Sequence, residues 1–232
     1  MTAFAQSDRL VPAALIALSL VPAAGGAFRL VQFAGGAEIT PENARFFAAP
    51  WPVGWHIVSS VCFCLLGAFQ FSPGFRRRQP NWHRVAGRVL VPCGMVAALT
   101  GVWMTQQHSP ASFTGSLPAN FDGPWLYVIR LLVGSMMALS LILGVTAILR
   151  RDVPRHRAWM IGGYALGLGA GTQVFTHLPW FLFPGIRGEL ARTVFMGAGW
   201  AINAAVAEWL ISRERRDRYP MIPGNLSHAP TR

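Results

Sequence analysis

The sequence predicts an all-α integral membrane protein, a bundle of six transmembrane helices with both termini in the cytoplasm. Three observations carry that expectation: an apolar composition, six apolar segments of membrane-crossing length, and an uneven distribution of arginine among the loops. Of the 232 residues 53% are apolar and only 12% charged, against roughly 25% charged in soluble domains. The net charge of +11 would suit a nucleic acid only if the basic residues shared one continuous face. Instead all 20 basic residues are Arg, clustered between apolar runs at Arg76 to Arg78 with Arg84 and Arg88, Arg150 to Arg157, and Arg213 to Arg218. That pattern describes topology and gives no nucleic-acid partner.

A helix crossing about 30 Å of hydrocarbon needs roughly 20 mostly apolar residues. Six segments qualify, at about 10–28, 52–71, 85–105, 124–149, 158–177 and 190–211. The domain is expected over 1–218. The tail 219–232, with Pro220, Pro223, Gly224 and Pro230, is expected to be disordered. The small residues Ala23 to Ala27 resemble a signal-peptide cleavage region, but Asp8 flanks the segment and apolar character runs on to Phe33, which favours a retained helix. With the N-terminus inside, 15 Arg fall on the cytoplasmic side and four outside, with Arg130 in the membrane. Positive charge stays on the cytoplasmic side, which gives the orientation and an inner-membrane location. Gln106 to Gly123 reads as a polar connector ending at Pro124, a helix-starting residue. Trp51, Trp55, Trp125 and Trp180 stand where an aromatic belt would lie.

The first span is followed by two similar hairpins. Arg77-Arg78-Gln79-Pro80-Asn81-Trp82-His83-Arg84 opens span three, and Arg151-Asp152-Val153-Pro154-Arg155-His156-Arg157 opens span five. Each gives basic residues, Pro and then His-Arg.

No serine-histidine-aspartate set, paired carboxylates, phosphate-binding glycine loop or His-Glu-x-x-His occurs, so hydrolase and kinase chemistry has no support. Histidine placement is the main chemical signal. His56 opens span two and His177 closes span five on the outer side, with His108 beyond span three, while His83 and His156 lie on the cytoplasmic side. His156 and His177 are 21 residues apart, about 31 Å at 1.5 Å per residue. On span three His83, Gly87, Gly94 and Gly101 form one stripe, and on span five Gly163, Gly167 and Gly171 lie near the face of His156. Span two places His56, Ser60, Gly67 and Gln70 together. Glycine admits something flat against a helix, and neutral imidazole is an axial ligand of haem iron. The candidate cofactor is haem b, bound by His83 with His156 inside and by His56 with His177 outside. Such a protein would pass electrons between a quinone or small redox partner and an acceptor. The alternative is that Gly-x-x-x-Gly spacing packs helices, and that the interfacial His-Arg pairs bind lipid headgroups.

Arg130 lies two turns into span four, with no acid at Leu126, Tyr127, Val133 or Gly134. An intramembrane charge marks a functional site by default. Its candidate partners are a haem propionate, an anionic substrate, Glu189 or Glu42; otherwise it snorkels outward. Glu208 is expected to meet Arg213, Arg88 or Arg84, and Gln70, Gln173 and Asn203 to bond between helices. Cys62, Cys64 and Cys93 read as small apolar residues. Cys62 and Cys64 point about 200° apart on a helix and cannot chelate together.

The motif order, with Leu66-Gly67-Ala68-Phe69-Gln70-Phe71, Pro80-Asn81-Trp82-His83-Arg84 through Gly87-Arg88, and Pro154-Arg155-His156-Arg157-Ala158-Trp159-Met160, resembles a bacterial multi-pass membrane family called domain of unknown function 2306. The resemblance covers roughly Trp51 to Glu208. It departs at Gly162-Gly163-Tyr164, where the family pattern implies an Arg before the tyrosine. It implies a fold and a membrane location without a reaction. A likeness in helix number and histidine placement to two-haem b-type cytochromes is architectural alone. Beside the cytochrome-like reading stands a non-enzymatic membrane protein that binds lipid, a partner or a solute, or a structural subunit of a membrane complex.

Overall fold

A computed structural model of the chain describes residues 3–41, 43–107 and 121–218. His108, Glu42 and the expected tail 219–232 lie outside the described residues. Among the described residues every regular element is helical. In chain order the helices are α1 (Ala3–Gly35), α2 (Ala44–Phe47), α3 (Pro50–Gly67), α4 (Pro73–Arg78), α5 (Pro80–Gln107), α6 (Pro124–Leu149), α7 (Val153–Gly167), α8 (Gly169–Thr176), α9 (Leu178–Leu182) and α10 (Glu189–Arg218). Single 3-10 turns follow α3 and α9. Among the described residues five helices are long and apolar enough to cross a bilayer: Arg9–Gly35 of α1, α3 with its following turn, α5, α6 and α10.

The fifth predicted span, 158–177, is two helices meeting at Leu168. The Leu168 N–H still donates to the Tyr164 carbonyl at 3.0 Å, but the Gly171 N–H reaches back only three residues, to Leu168 at 2.9 Å. Packing explains the break in this glycine-rich stretch. A Cβ on Gly169 would overlap the Trp200 indole, and one on Gly171 would overlap the Leu18 carbonyl oxygen. That carbonyl is free for a reason legible in α1. Pro22 stands four residues on and has no N–H to offer it.

Other boundaries lie outside the predicted ones because apolar runs mark only the part immersed in lipid, whereas hydrogen bonding continues into water. Helix α5 starts at Pro80 rather than Val85, and its His83 N–H bonds the Gln79 carbonyl at 3.1 Å. Helix α10 continues past Ile211 to Arg218, which carries Glu214 to Arg157 at 2.6 Å. Helix α6 matches its expected limits, and a left-handed residue ends it. Arg151 has φ 61°, the Asp152 N–H bonds Ala147 at 2.9 Å, and the Arg151 N–H bonds Ile148 at 3.0 Å. This is a Schellman closure with arginine where glycine is usual.

Helix α3 packs on α5, α6 on α5 and α7, α10 on α7 and α8, and α1 on α3 and α8. Phe63, Leu90, Met137, Leu141, Tyr164 and Leu168 form the centre of the core. The Tyr164 hydroxyl donates to the Cys64 carbonyl at 2.6 Å, tying α7 to α3. One end of the bundle carries α4, the starts of α5 and α7 and the end of α10, and is rich in Arg; the other carries α2, Asp122 and α9. These are called the Arg-rich end and the Asp122 end.

Replacing Gly171 with Leu is expected to destabilise the protein by at least about 1–3 kcal/mol, the usual cost of overpacking, because the obstructing atom is backbone. Thermal unfolding in detergent tests this. Gly162→Ala, whose Cβ would meet nothing within 4 Å, should leave the midpoint unchanged or raised.

Candidate functional site

The site begins with a turn held against its preference. Phe121 has φ 56°, a region costly for a bulky L-residue, and its ring meets Trp180 edge-on at 5.4 Å. The following Gly123 is extended and Pro124 starts α6. A Cβ at Gly123 would overlap the Glu189 carboxylate, so a larger residue there would have to displace that side chain. This turn aims the Asp122 carboxylate at Arg130, two turns along α6.

Arg130 binds Asp122 through both guanidinium ends, Nη1 to Oδ2 at 2.9 Å and Nη2 to Oδ1 at 3.2 Å. Arg45 of α2 donates to Oδ2 at 3.1 Å, and Arg192 of α10 to Oδ1 at 3.1 Å. The Asp122 side chain is only 8% exposed. Burial would raise its carboxyl, yet Arg130 above all, with Arg192 and Arg45, holds it below the ordinary carboxylate range. For Arg45 burial outweighs Asp122, and the neighbouring Arg130 and Arg192 add to it, so its guanidinium is lowered. Phe46 accepts two further cation contacts, from Arg29 at 4.2 Å and Arg45 at 4.6 Å. Three guanidiniums thus share one carboxylate, and Glu189 forms no ion pair within 4 Å among the described residues. Among the described residues the cluster carries excess positive charge.

This corrects the expected partners of Arg130. Glu189 rests on Gly123 instead, and Glu42 lies outside the described residues. Asp122 was missed because a search within one helical turn stops at Leu126. Asp122 lies outside the helix, in the turn ahead of Pro124, and that turn was the available signal. Glu208 also departs from expectation. It accepts from Ser212 at 3.0 Å, while Glu214 takes Arg157.

Arg45 and Arg130 line a cavity of about 380 Å³ inside the bundle, within the range of small-molecule sites. Its walls are mostly apolar, with Val53, Phe63, Met137, Leu168 and Trp200 among them, and His56 and Gln173 add polar atoms. The break between α7 and α8 forms part of the wall. His56 Nδ1 lies 2.9 Å from the Ala97 carbonyl and 3.1 Å from the Thr100 hydroxyl. A carbonyl can only accept, so Nδ1 carries the proton and Nε2 is an acceptor. Gln173 donates to the Met196 carbonyl at 3.0 Å, and Asn203 links Thr172 and the Ala165 carbonyl. Both bond between helices. The Gln70 amide nitrogen is buried without a partner among the described residues.

The four predicted haem ligands fall into two layers, His83 and His156 at the Arg-rich end and His56 and His177 near Asp122. His177 Nδ1 donates to the Gln173 carbonyl at 3.0 Å, and its Nε2 is buried without a partner among the described residues. Of the four, His56 alone lines the cavity. Apart from Gly87, which has nothing within 4 Å of a Cβ, the stripe glycines face neighbouring helices: Gly94 meets Phe63 and Leu141, Gly163 Ser140 and Leu141, Gly167 Phe63 and Met137, and Gly101 the His56 ring. That is the packing role of small-residue spacing. Among the described residues no three His, Cys, Asp or Glu converge as a metal site. One contact had no sequence signal, because its members sit on different helices: the Cys93 and Cys62 sulfurs are 3.6 Å apart.

A family model described as a predicted membrane protein (DUF2306) matches residues 53–211. The chain belongs to this family. The DUF2306 match takes in most of the bundle from α3 through α10, including Asp122, Arg130 and Arg192, while α1 and Arg45 precede it. No curated protein and no solved structure matches the chain.

Asp122→Asn keeps the shape and removes the charge that holds three guanidiniums together. The expected loss is about 3–5 kcal/mol, the range for breaking a buried pair, read as thermal stability in detergent. The Asp122 carboxyl is depressed in the fold, so its contribution is complete above the ordinary aspartate value near 4 and is lost as pH falls through the depressed value. Acid unfolding of the wild type should therefore begin below about pH 4, with Asp122→Asn lacking that part of the profile.

Proposed function

We propose that this membrane protein binds an amphiphilic anion, its head at Arg45 and Arg130 and its apolar body in the bundle cavity. The carrying observation is the surplus of guanidinium charge among the described residues where an otherwise apolar cavity meets the Asp122 end. Half-buried positive charge beyond what Asp122 neutralises is costly, and a bound anion offsets it. The Arg45 Nε is buried without a partner among the described residues, a donor suited to a carboxylate oxygen, and Arg forms match planar carboxylates. Interrupted helix lining a cavity is also a recurrent feature of binding sites within membranes. This is the binding-protein reading of the sequence, with a substrate class attached.

Radiolabelled oleate and neutral oleyl alcohol distinguish head recognition from simple partition. Oleate should bind the purified protein saturably and oleyl alcohol should compete poorly. Arg45→Gln should weaken oleate about 10- to 100-fold, equivalent to one charged hydrogen bond of about 1.5–3 kcal/mol. Equal competition by the alcohol, or an unchanged affinity in Arg45→Gln, removes the proposal.

The haem reading keeps one specific support. His177 has a buried Nε2 without a partner among the described residues, and its Nδ1–H bond to a carbonyl is the arrangement that orients a ligating imidazole. On that reading haem b would take His177 and His56 as ligands near Asp122, with Arg130 available to a propionate. Protein purified after growth with added haem would then show a Soret band that His177→Ala removes. A colourless protein ends this reading.

An orientation with both termini in the cytoplasm rests on the arginine distribution. A carboxy-terminal reporter active only in the cytoplasm should be active, and a periplasm-dependent reporter at the same place silent.

A further inference from the structure

The two His-Arg motifs, 73 residues apart in the sequence, meet at the Arg-rich end. Their positions are equivalent. The His83 N–H bonds the carbonyl of Gln79, and the His156 N–H bonds the carbonyl of Asp152, so each imidazole projects from a first turn four residues after the helix entry. Neither first turn carries an acidic residue. His83 lies within electrostatic reach of His156, Arg76 and Arg84, and Arg76 within reach of Arg157, Arg77 and Glu214. Helices α4, α5, α7 and α10 thus converge on one spot.

Among the described residues the charges there do not balance, even with Asp152 capping α7 through the Arg155 N–H. Glu214 is the carboxylate facing Arg76 and Arg157, and it is divided between Arg157 at 2.6 Å and Arg218 at 3.9 Å. Arg76, His83, His156 and Arg157 are all half-buried, so water screens them less than it would a surface cluster. His156 donates its Nδ1–H to the Gly144 carbonyl at 2.8 Å, so its Nε2 is an acceptor, suited to a hydroxyl of the ligand such as that of a hydrogen phosphate. His83 Nδ1 is buried without a partner among the described residues. A ligand supplying several acceptor oxygens in three dimensions would satisfy donors arriving from different helices. A tetrahedral phosphate does this, whereas a planar carboxylate serves chiefly one guanidinium edge.

We propose that Arg76, His83, His156 and Arg157 form a phosphate-binding site at the Arg-rich end, separate from the cavity beside Asp122. The ligand class is a phosphate ester or free phosphate, presented by an anionic lipid headgroup or from solution.

Thermal unfolding of the purified full chain in neutral detergent, with inorganic phosphate in one arm and dioctanoyl phosphatidylglycerol in the other, tests the site. Wild type should be stabilised saturably. Arg76→Gln should raise the half-saturating concentration at least fivefold, and His83→Gln should do the same. The His83 substitution removes no ring hydrogen bond found among the described residues, so it guards against loss of fold in the first variant. Arg187→Gln, at the opposite end and outside both proposed sites, should respond like wild type. Stabilisation by phosphatidylglycerol alone assigns the site to lipid headgroups, and stabilisation by inorganic phosphate as well assigns it to soluble phosphate. The proposal is overturned if neither probe stabilises wild type, if both site variants respond like wild type, or if Arg187→Gln loses the response equally.

Discussion

One carboxylate organises the Asp122 end of the bundle. Asp122 receives guanidiniums from α2, α6 and α10, elements that are distant in the chain and otherwise held by apolar contact. In hydrocarbon apolar contact between helices is not driven by water exclusion, because lipid tails are as apolar as the side chains. Directional bonds therefore have a larger part in fixing which helix lies beside which. The strained Phe121, the extended Gly123 and Pro124 all serve to place that single side chain. The unneutralised charge left around it gives the adjoining cavity its chemical character.

The remainder of the bundle is fixed mostly by shape. Gly94, Gly167 and Gly171 each receive atoms from a neighbouring helix in the space a Cβ would occupy. Pro22 and Gly171 act as a pair across two helices, one releasing a carbonyl and the other making room for it. Tyr164 and Asn203 then bond backbone carbonyls of adjacent helices. Dispersion contacts at close range and a few hydrogen bonds suffice where the hydrophobic effect contributes little.

What could be read from sequence follows from which interactions are local. Span α6 was legible to the residue because Pro124 and the polar residues after Leu149 bound one apolar run. Arg130 was legible as a site residue because a charge among apolar neighbours needs no structural information to be noticed. Its partner was not, since Asp122 reaches it through a turn rather than along a helix. The break at Leu168 was hidden because glycines read equally as a packing face and as an interruption, and Trp200 and Leu18 decide between them. The equivalent placement of His83 and His156 was visible as a repeated motif, but their meeting depends on how two hairpins pack.

The sulfurs of Cys62 and Cys93, 3.6 Å apart, lie across the seam between α3 and α5. That same seam carries the bond from His56 to Ala97, at the cavity wall. The chain therefore contains a native gauge of its own. A thiol-bridging reagent of fixed length registers the spacing of these two helices, and any widening of the cavity along this seam changes the yield of bridged protein without a single engineered residue.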